Sequence, residues 1–389
     1  SWWVTIHGHA NKYIANKIYQ QADTLEQVIF AGFTHEPAVK LAEQLLPILP
    51  NNFERIFYSD NGSTSTEVAL KMAIQYWWNV GENSRTKIIA FKDAYHGDTF
   101  GAMSVSDRSV FTLAFQDKLF EIITLDTPTN NNLEDLKNTI TNHSSEVAAF
   151  IYEPLVQGAG GMKMYDANCM NSLLQHMQQH QIICIADEVM TGFGRTGKLF
   201  ASEYFEINPD IICLSKGLTG GTMALGVTAC TNKIYQAFLN DDKLKTFFHG
   251  HSFTANPLAC TAALASLELL LLNDTKNSIK QIVTANKSFI ETCETLSKTK
   301  ELNIKNLRML GTILAFEIVQ GKDEYLNNIA ATITEKALKA GVYLRPLGNT
   351  VYIMPPYCIT QTELNKVYEV LLNIIENNYS VKNVPMNNN

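Results

Sequence analysis

Two short apolar runs, each ending in a charge, constrain this chain more than any other stretch. Ile182-Ile183-Cys184-Ile185-Ala186 stops at Asp187-Glu188. Ile211-Ile212-Cys213-Leu214-Ser215 stops at Lys216, ahead of Gly217-Leu218-Thr219-Gly220-Gly221. Apolar runs of about five β-favouring residues, bounded by polar residues and Gly, predict strands buried on both faces. In open α/β sheets functional groups gather at the carboxyl ends of such strands. An acid and an amine are thus predicted at strand ends, with room for a ligand between them. A Lys in a partly desolvated site suits Schiff-base chemistry, because burial frees its nitrogen lone pair. Taken alone, Lys216 reads more readily as the start of a solvated loop.

The neighbouring segments shift that balance. Phe53–Ser59 alternates like a strand and Asp60-Asn61-Gly62-Ser63 reads as a turn. Thr64-Ser65-Thr66-Glu67 then has the spacing of a capping box, predicting a helix to about Asn79. A Gly-Ser turn at a helix N-terminus offers free amides and a positive dipole end, which suits an anion. Lys87–Phe91 predicts a strand leading to Tyr95-His96-Gly97-Asp98, and Glu146–Tyr152 another ending in Glu153-Pro154. Helical stretches lie between these runs, so the fold class is α/β, a mostly parallel central sheet with helices on both faces. Four strand ends then carry Tyr95, Glu153, Asp187 and Lys216.

Other patterns point elsewhere and are set aside. Gly192-Phe-Gly-Arg-Thr-Gly197-Lys198 fits the P-loop spacing, but Leu199 stands where a Ser or Thr should hold magnesium, and the acidic strand precedes the loop. His7 and His9 have no carboxylate or Cys cluster beside them, so no metal is expected. Net charge is −7 with no basic runs, which argues against nucleic acid as a partner. The longest apolar stretch, Ala262–Leu272, is too short to span a bilayer. Seven cysteines without a CxxC pair predict reduced core thiols and a cytoplasmic setting.

The 389 residues allow two domains: a large one over 1–275 and a smaller α+β one over 276–389. A long helix is predicted from Asn256-Pro257-Leu258 to about Leu272. Gly311–Ile318 and Val342–Pro346 are predicted as strands of the second domain. Arg345, on the latter, could grip a carboxylate in bidentate fashion. Of the adjacent Trp2 and Trp3, one is expected to face a pocket or an interface. The chain opens on Ser-Trp-Trp, consistent with a segment missing ahead of Ser1, and Val384–Asn389 is expected to fray.

In this order, Asp60-Asn-Gly-Ser63, Tyr95-His-Gly97, Glu153-Pro154, Asp187-Glu-Val189, Gly192-Phe-Gly-Arg-Thr-Gly197 and Ser215-Lys-Gly217 resemble the class III aminotransferases of fold type I. Those enzymes use pyridoxal 5′-phosphate (PLP), and the resemblance covers nearly the whole chain. It implies that Lys216 carries the cofactor and shuttles a proton, Asp187 pairs with the pyridine nitrogen, and Tyr95 covers one ring face. Gly62, Ser63, His96 and Glu153 would contact the cofactor, with Arg195 a supporting group nearby. Ser252 would reach its phosphate from a partner subunit, implying a homodimer with a shared site. Trp2, Trp3, Gly250, Arg345 and Tyr352 would line the substrate pocket.

Further details resemble the family members that serve biotin synthesis: Ser1-Trp-Trp3 with Ile6-His-Gly8, Phe30–His35, Tyr95–Ser104, Lys216–Thr222 and Tyr352–Tyr357. They imply S-adenosylmethionine as amino donor and 8-amino-7-oxononanoate as acceptor. The nearest alternatives keep PLP but take lysine, ornithine or GABA. In the family Pro-Thr stands where this chain has His251-Ser252, and Gly where it has Ala255. The family also has a segment upstream of Ser1 that contributes an aromatic to the donor pocket.

Overall fold

The structure, a computed structural model, describes residues 2–50, 53–300, 302, 304–319 and 329–378; Ser1 and Val384–Asn389 lie outside them. The chain divides into two compact units, Ser1–Phe193 with Lys198–Leu271, and Gly194–Gly197 with Leu272–Asn389.

Among the described residues nine strands form in the first unit: β1 (Phe53–Ser59), β2 (Lys87–Phe91), β3 (Ile123–Leu125), β4 (Val147–Tyr152), β5 (Val156–Gln157), β6 (Lys163–Met164), β7 (Ile183–Asp187), β8 (Ile211–Leu214) and β9 (Gly226–Thr231). Seven of them make one sheet in the order β1-β9-β8-β7-β4-β2-β3. The ladders β2/β3, β2/β4, β4/β7 and β7/β8 are parallel, whereas β8/β9 and β1/β9 are antiparallel. Strands β4, β7 and β8 are buried at every residue, which is why their sequences are continuous apolar runs. Because β7 and β8 are parallel neighbours, Asp187 and Lys216 emerge at the same end of the sheet.

The helix after β1 begins earlier than its sequence suggests. It spans Gly62–Val80, and its capping box joins Asn61 to Thr64, not Thr64 to Glu67. Asn caps at least as well as Thr, so the earlier residue takes the role. Glu67 instead accepts from the amides of Gly101 and Ala102 at 2.7 and 3.1 Å, closing the start of helix Phe100–Val105. Those bonds hold the start of helix Phe100–Val105, just after Tyr95 to Gly97, against helix Gly62–Val80.

Asp187 and Glu188 part company at the end of β7. Glu188 is fully buried and accepts from the Ser202 amide (2.6 Å), the Ser202 and Thr191 hydroxyls (both 2.7 Å) and the Ala201 amide (3.0 Å). It staples the 189–202 connection and faces away from the site.

The second unit has a three-stranded antiparallel sheet of β10 (Ile304–Leu310), β11 (Ile313–Ile318) and β12 (Thr350–Ile353). Residues 342–346 form no ladder. Pro346 has no amide to donate and restricts its neighbour, so only an isolated Leu347–Thr350 bridge forms there. Arg345 is therefore on an irregular segment, and Tyr352 sits on β12 opposite Ala315. Arg195 belongs to this unit: it is buried, donates to the Pro355 carbonyl at 2.7 Å, and its own carbonyl accepts from the Thr312 amide at 2.9 Å. Among the described residues no single helix is long and apolar enough to cross a membrane.

Replacing Glu188 by Ala strands several buried donors at once. Denaturant unfolding should show a stability loss of about 3 kcal/mol. A loss below about 1 kcal/mol would mean those donors find other partners.

Candidate active site

A cavity of about 670 Å³ opens at the carboxyl ends of β7 and β8, within the range of small-molecule sites. Its lining brings together Trp3, Gly62, Ser63, Tyr95, His96, Glu153, Asp187 and Lys216, residues spread over more than half of the sequence.

Asp187 is buried, and both of its oxygens are held. Oδ2 lies 2.7 Å from Nδ1 of His96, itself buried, and Oδ1 accepts from the Val189 amide at 3.0 Å. His96 is fixed in turn: its amide donates to Ser106 Oγ at 2.8 Å and its carbonyl accepts from Thr66 Oγ1 at 3.1 Å. Nε2 of His96 is buried and meets no hydrogen-bond partner in the protein. His96 thus touches the acid and orients it, a pairing across 91 positions that no local pattern announces.

Lys216 has a positive φ of 45°, in the left-handed region that a non-Gly residue adopts only at a cost. Its Nζ lies 4.6 Å from the centroid of the Trp3 ring. Trp3 also has a positive φ, 64°, and the N-terminal arm that carries it lies on the Gly-rich loop after Lys216. A Cβ on Gly221 would come within 2.8 Å of Val4, and one on Gly220 within 2.9 Å of the His7 ring. His7 Nε2 bonds Ser266, 3.0 Å from its carbonyl, pinning the arm. Those glycines make a bed for the arm, which brings one Trp to the amine. Trp2 is 59% exposed.

Gly62 and Ser63 are the first two residues of their helix, so their amides face no intrahelical carbonyl. Ser63 Oγ accepts from the Asp98 amide at 3.1 Å. That approach requires Gly97, where φ is 133° and a Cβ would sit 2.2 Å from Ser63 Oγ. The result is an anion-binding corner at the N-terminus of a 19-residue helix, in the same cavity as Lys216.

Tyr95 is half-buried, and burial raises its hydroxyl pKa above the usual range, with Asp98 adding to the effect. Glu153 is 5% exposed. Burial pushes its carboxyl up to about 7. The charge of Asp187 acts in the same direction, while His96 and the amides of Gly158 and Tyr95 oppose it. Val189 and Met190 also line the cavity; a Cβ on Gly62 would meet Val189 Cγ1 at 2.7 Å. Sequence patterns single out neither residue, since each follows the acidic strand as an ordinary apolar side chain.

Ser252 and Gly250 lie on an exposed loop and are not among this cavity's lining residues. The Ser252 carbonyl accepts from the Gln27 side chain. Arg345 and Tyr352 are half-buried in the second unit.

The model of the class-III aminotransferase family matches residues 1–375. The chain belongs to that family. It is 46% identical to adenosylmethionine-8-amino-7-oxononanoate aminotransferase of Synechococcus elongatus, over 97% of this chain and 89% of the relative. The protein of that name from Helicobacter pylori is 37% identical, over 97% and 86%. Among class-III and related structures, that of the Methanocaldococcus jannaschii protein of the same name superposes with a TM-score of 0.87 at 34% identity, covering 95% of this chain and 87% of the other. An amine transaminase from an uncultivated Pseudomonas species, solved with PLP bound, superposes at 0.88 with 30% identity, over 96% and 88%.

The raised carboxyl of Glu153 makes stability depend on pH. Between about 4.5 and about 7 the folded protein holds a proton that the unfolded chain has released. This contribution is therefore full below about 4.5 and disappears as pH rises through about 7. Thermal melts from pH 5 to 8 should show the wild type losing more stability over this window than Glu153→Gln. Parallel profiles would contradict the assignment.

Proposed function

We propose that this chain is a PLP-dependent aminotransferase that moves an amino group from S-adenosylmethionine to 8-amino-7-oxononanoate, giving 7,8-diaminononanoate for biotin synthesis. The observation that carries the chemistry is the convergence of Asp187 and Lys216, from adjacent parallel strands, on one cavity with an anion-binding corner. The choice of substrates rests on the relatives' names and on the aromatic arm.

The residues present fit PLP on three counts. Asp187 is a buried acid held at both oxygens, suited to a ring nitrogen. Lys216 is an amine at the same end of the neighbouring parallel strand, suited to an aldehyde. The Gly62-Ser63 amides suit a phosphate. Bound there, PLP supplies an electron sink for negative charge at the substrate carbon that bears the amino group.

The protein's own groups then have separate tasks. Asp187 would keep a proton on the ring nitrogen, and His96 fixes the direction in which that carboxylate points. Lys216 would be the point of covalent attachment and, with its amine free, would carry a proton between the substrate carbon that bears the amino group and the cofactor's aldehyde carbon. Tyr95 would cover one face of the ring, and Val189, packed beside Gly62, would help it exclude water. Trp3 packs against the substrate chain. We assign Trp2, Gly250, Tyr352 and Arg345 to the substrate, Arg345 pairing with its carboxylate.

Ser252 is given to the phosphate of the partner's site, so the working form is a homodimer. This agrees with the exposure of Phe248 and Phe253 beside it, at 72% and 62%. A cytoplasmic setting agrees with the seven free cysteines, six of them buried.

A ping-pong exchange in one pocket follows from a single Lys serving both half-reactions. Incubating the PLP-loaded protein and 8-amino-7-oxononanoate with S-adenosylmethionine should yield diaminononanoate, and lysine should not replace the donor. Trp3→Ala should lower kcat/KM by roughly tenfold or more. Product with lysine alone would move the chain to the alternative donor class, and no product with either donor would overturn the proposal.

A further inference from the structure

We propose that Glu153 is a positioning residue that sets the separation of the two aromatic walls of the cavity, Tyr95 and Trp3. It would do so by holding one backbone amide behind each wall. The proposal rests on the PLP reading above and deepens it, since there Glu153 counts only as a group beside the cofactor.

Above about pH 7, where Glu153 is ionised, its carboxylate uses both oxygens. Oε1 accepts from the Tyr95 amide at 3.1 Å and Oε2 from the Gly158 amide at 2.8 Å. Gly158 is where the Trp3 ring rests: a Cβ there would lie 3.3 Å from Trp3 Cζ3 and 3.0 Å from Met190 Cε. Tyr95 follows β2, Glu153 follows β4 and Gly158 follows β5, so one buried side chain ties three separate connections. The β5/β6 hairpin has only two residues in each strand, too few to hold Gly158 unaided. Its other ties include Gln157 Nε2 to the Lys92 carbonyl at 2.7 Å and Lys163 Nζ to Asp93 Oδ2 at 2.6 Å. Tyr165 in turn donates to the Glu153 carbonyl at 2.6 Å, fixing the backbone from which the carboxylate reaches out.

Only a carboxylate of this length performs the task. A Gln offers one acceptor oxygen and one NH2, so one of the two amides would face a donor. An Asp keeps two acceptors but is one methylene too short to reach both.

The test compares wild type, Glu153→Gln and Glu153→Asp, each full length and loaded with PLP. Absorbance measures cofactor occupancy, and circular dichroism in the cofactor band measures how asymmetrically the walls hold the ring. Glu153→Gln should bind PLP roughly tenfold more weakly and, at matched occupancy, show clearly reduced induced dichroism. In a Tyr95→Ala background the same change should have a much smaller further effect on dichroism, because one wall is already gone. If Glu153→Gln does not fold, a soluble Glu153→Asp with reduced dichroism supports the proposal.

Wild-type affinity and dichroism in the soluble variant would overturn it. So would an equal loss in Gln157→Ala, which loosens the hairpin but leaves Glu153 in place. A wild-type protein that takes up no PLP would instead defeat the cofactor reading itself, a result separable from any effect of Glu153.

Discussion

A carboxylate buried at a strand end is costly unless both of its oxygens are satisfied, and the site is organised around meeting that demand for Asp187. His96 and the Val189 amide meet it, and each does more than neutralise a cost. His96 belongs to the turn that carries Tyr95 and Gly97, so the same contact sets the ring wall and the approach to Ser63. Val189 belongs to the connection that Glu188 staples shut. Moving Asp187 would disturb three sides of the cavity.

The amine side is built from strain and support. Lys216 and Trp3 both occupy the left-handed region, two unfavourable conformations a few ångströms apart. Surrounding structure over-determines them: Ser215 Oγ donates to the Leu225 carbonyl at 2.7 Å, and Thr219 Oγ1 to that of Met223 at 2.6 Å. The arm on the Gly220-Gly221 bed completes the support. Such strain concentrates where a side chain must be aimed, which is the task assigned to Lys216.

How much of this was legible in the sequence depended on range. The buried strands were, because their runs are apolar at every position, and so was the ending of two of them in Asp187 and Lys216. The start of helix Gly62–Val80 differs from the expected one because Asn61 and Thr64 are rival caps three residues apart, and a pattern alone cannot rank them. Residues 342–346 looked like a strand by composition, yet Pro346 denies them a ladder. The His96–Asp187 contact and the two amides on Glu153 were invisible, since they join residues 91, 58 and 5 positions apart through the fold alone. Trp2 and Trp3 could not be told apart by sequence; the positive φ at Trp3 turns that ring to the amine.

The central claim is that Asp187 and Lys216 are two handles on one flat cofactor. It is tested most directly by adding PLP to the protein, reducing with borohydride and mapping the modified peptide by mass spectrometry. The account predicts a single pyridoxyl group on Lys216, with uptake sharply weakened in Asp187→Ala. Modification at another lysine, or undiminished uptake in Asp187→Ala, would contradict it.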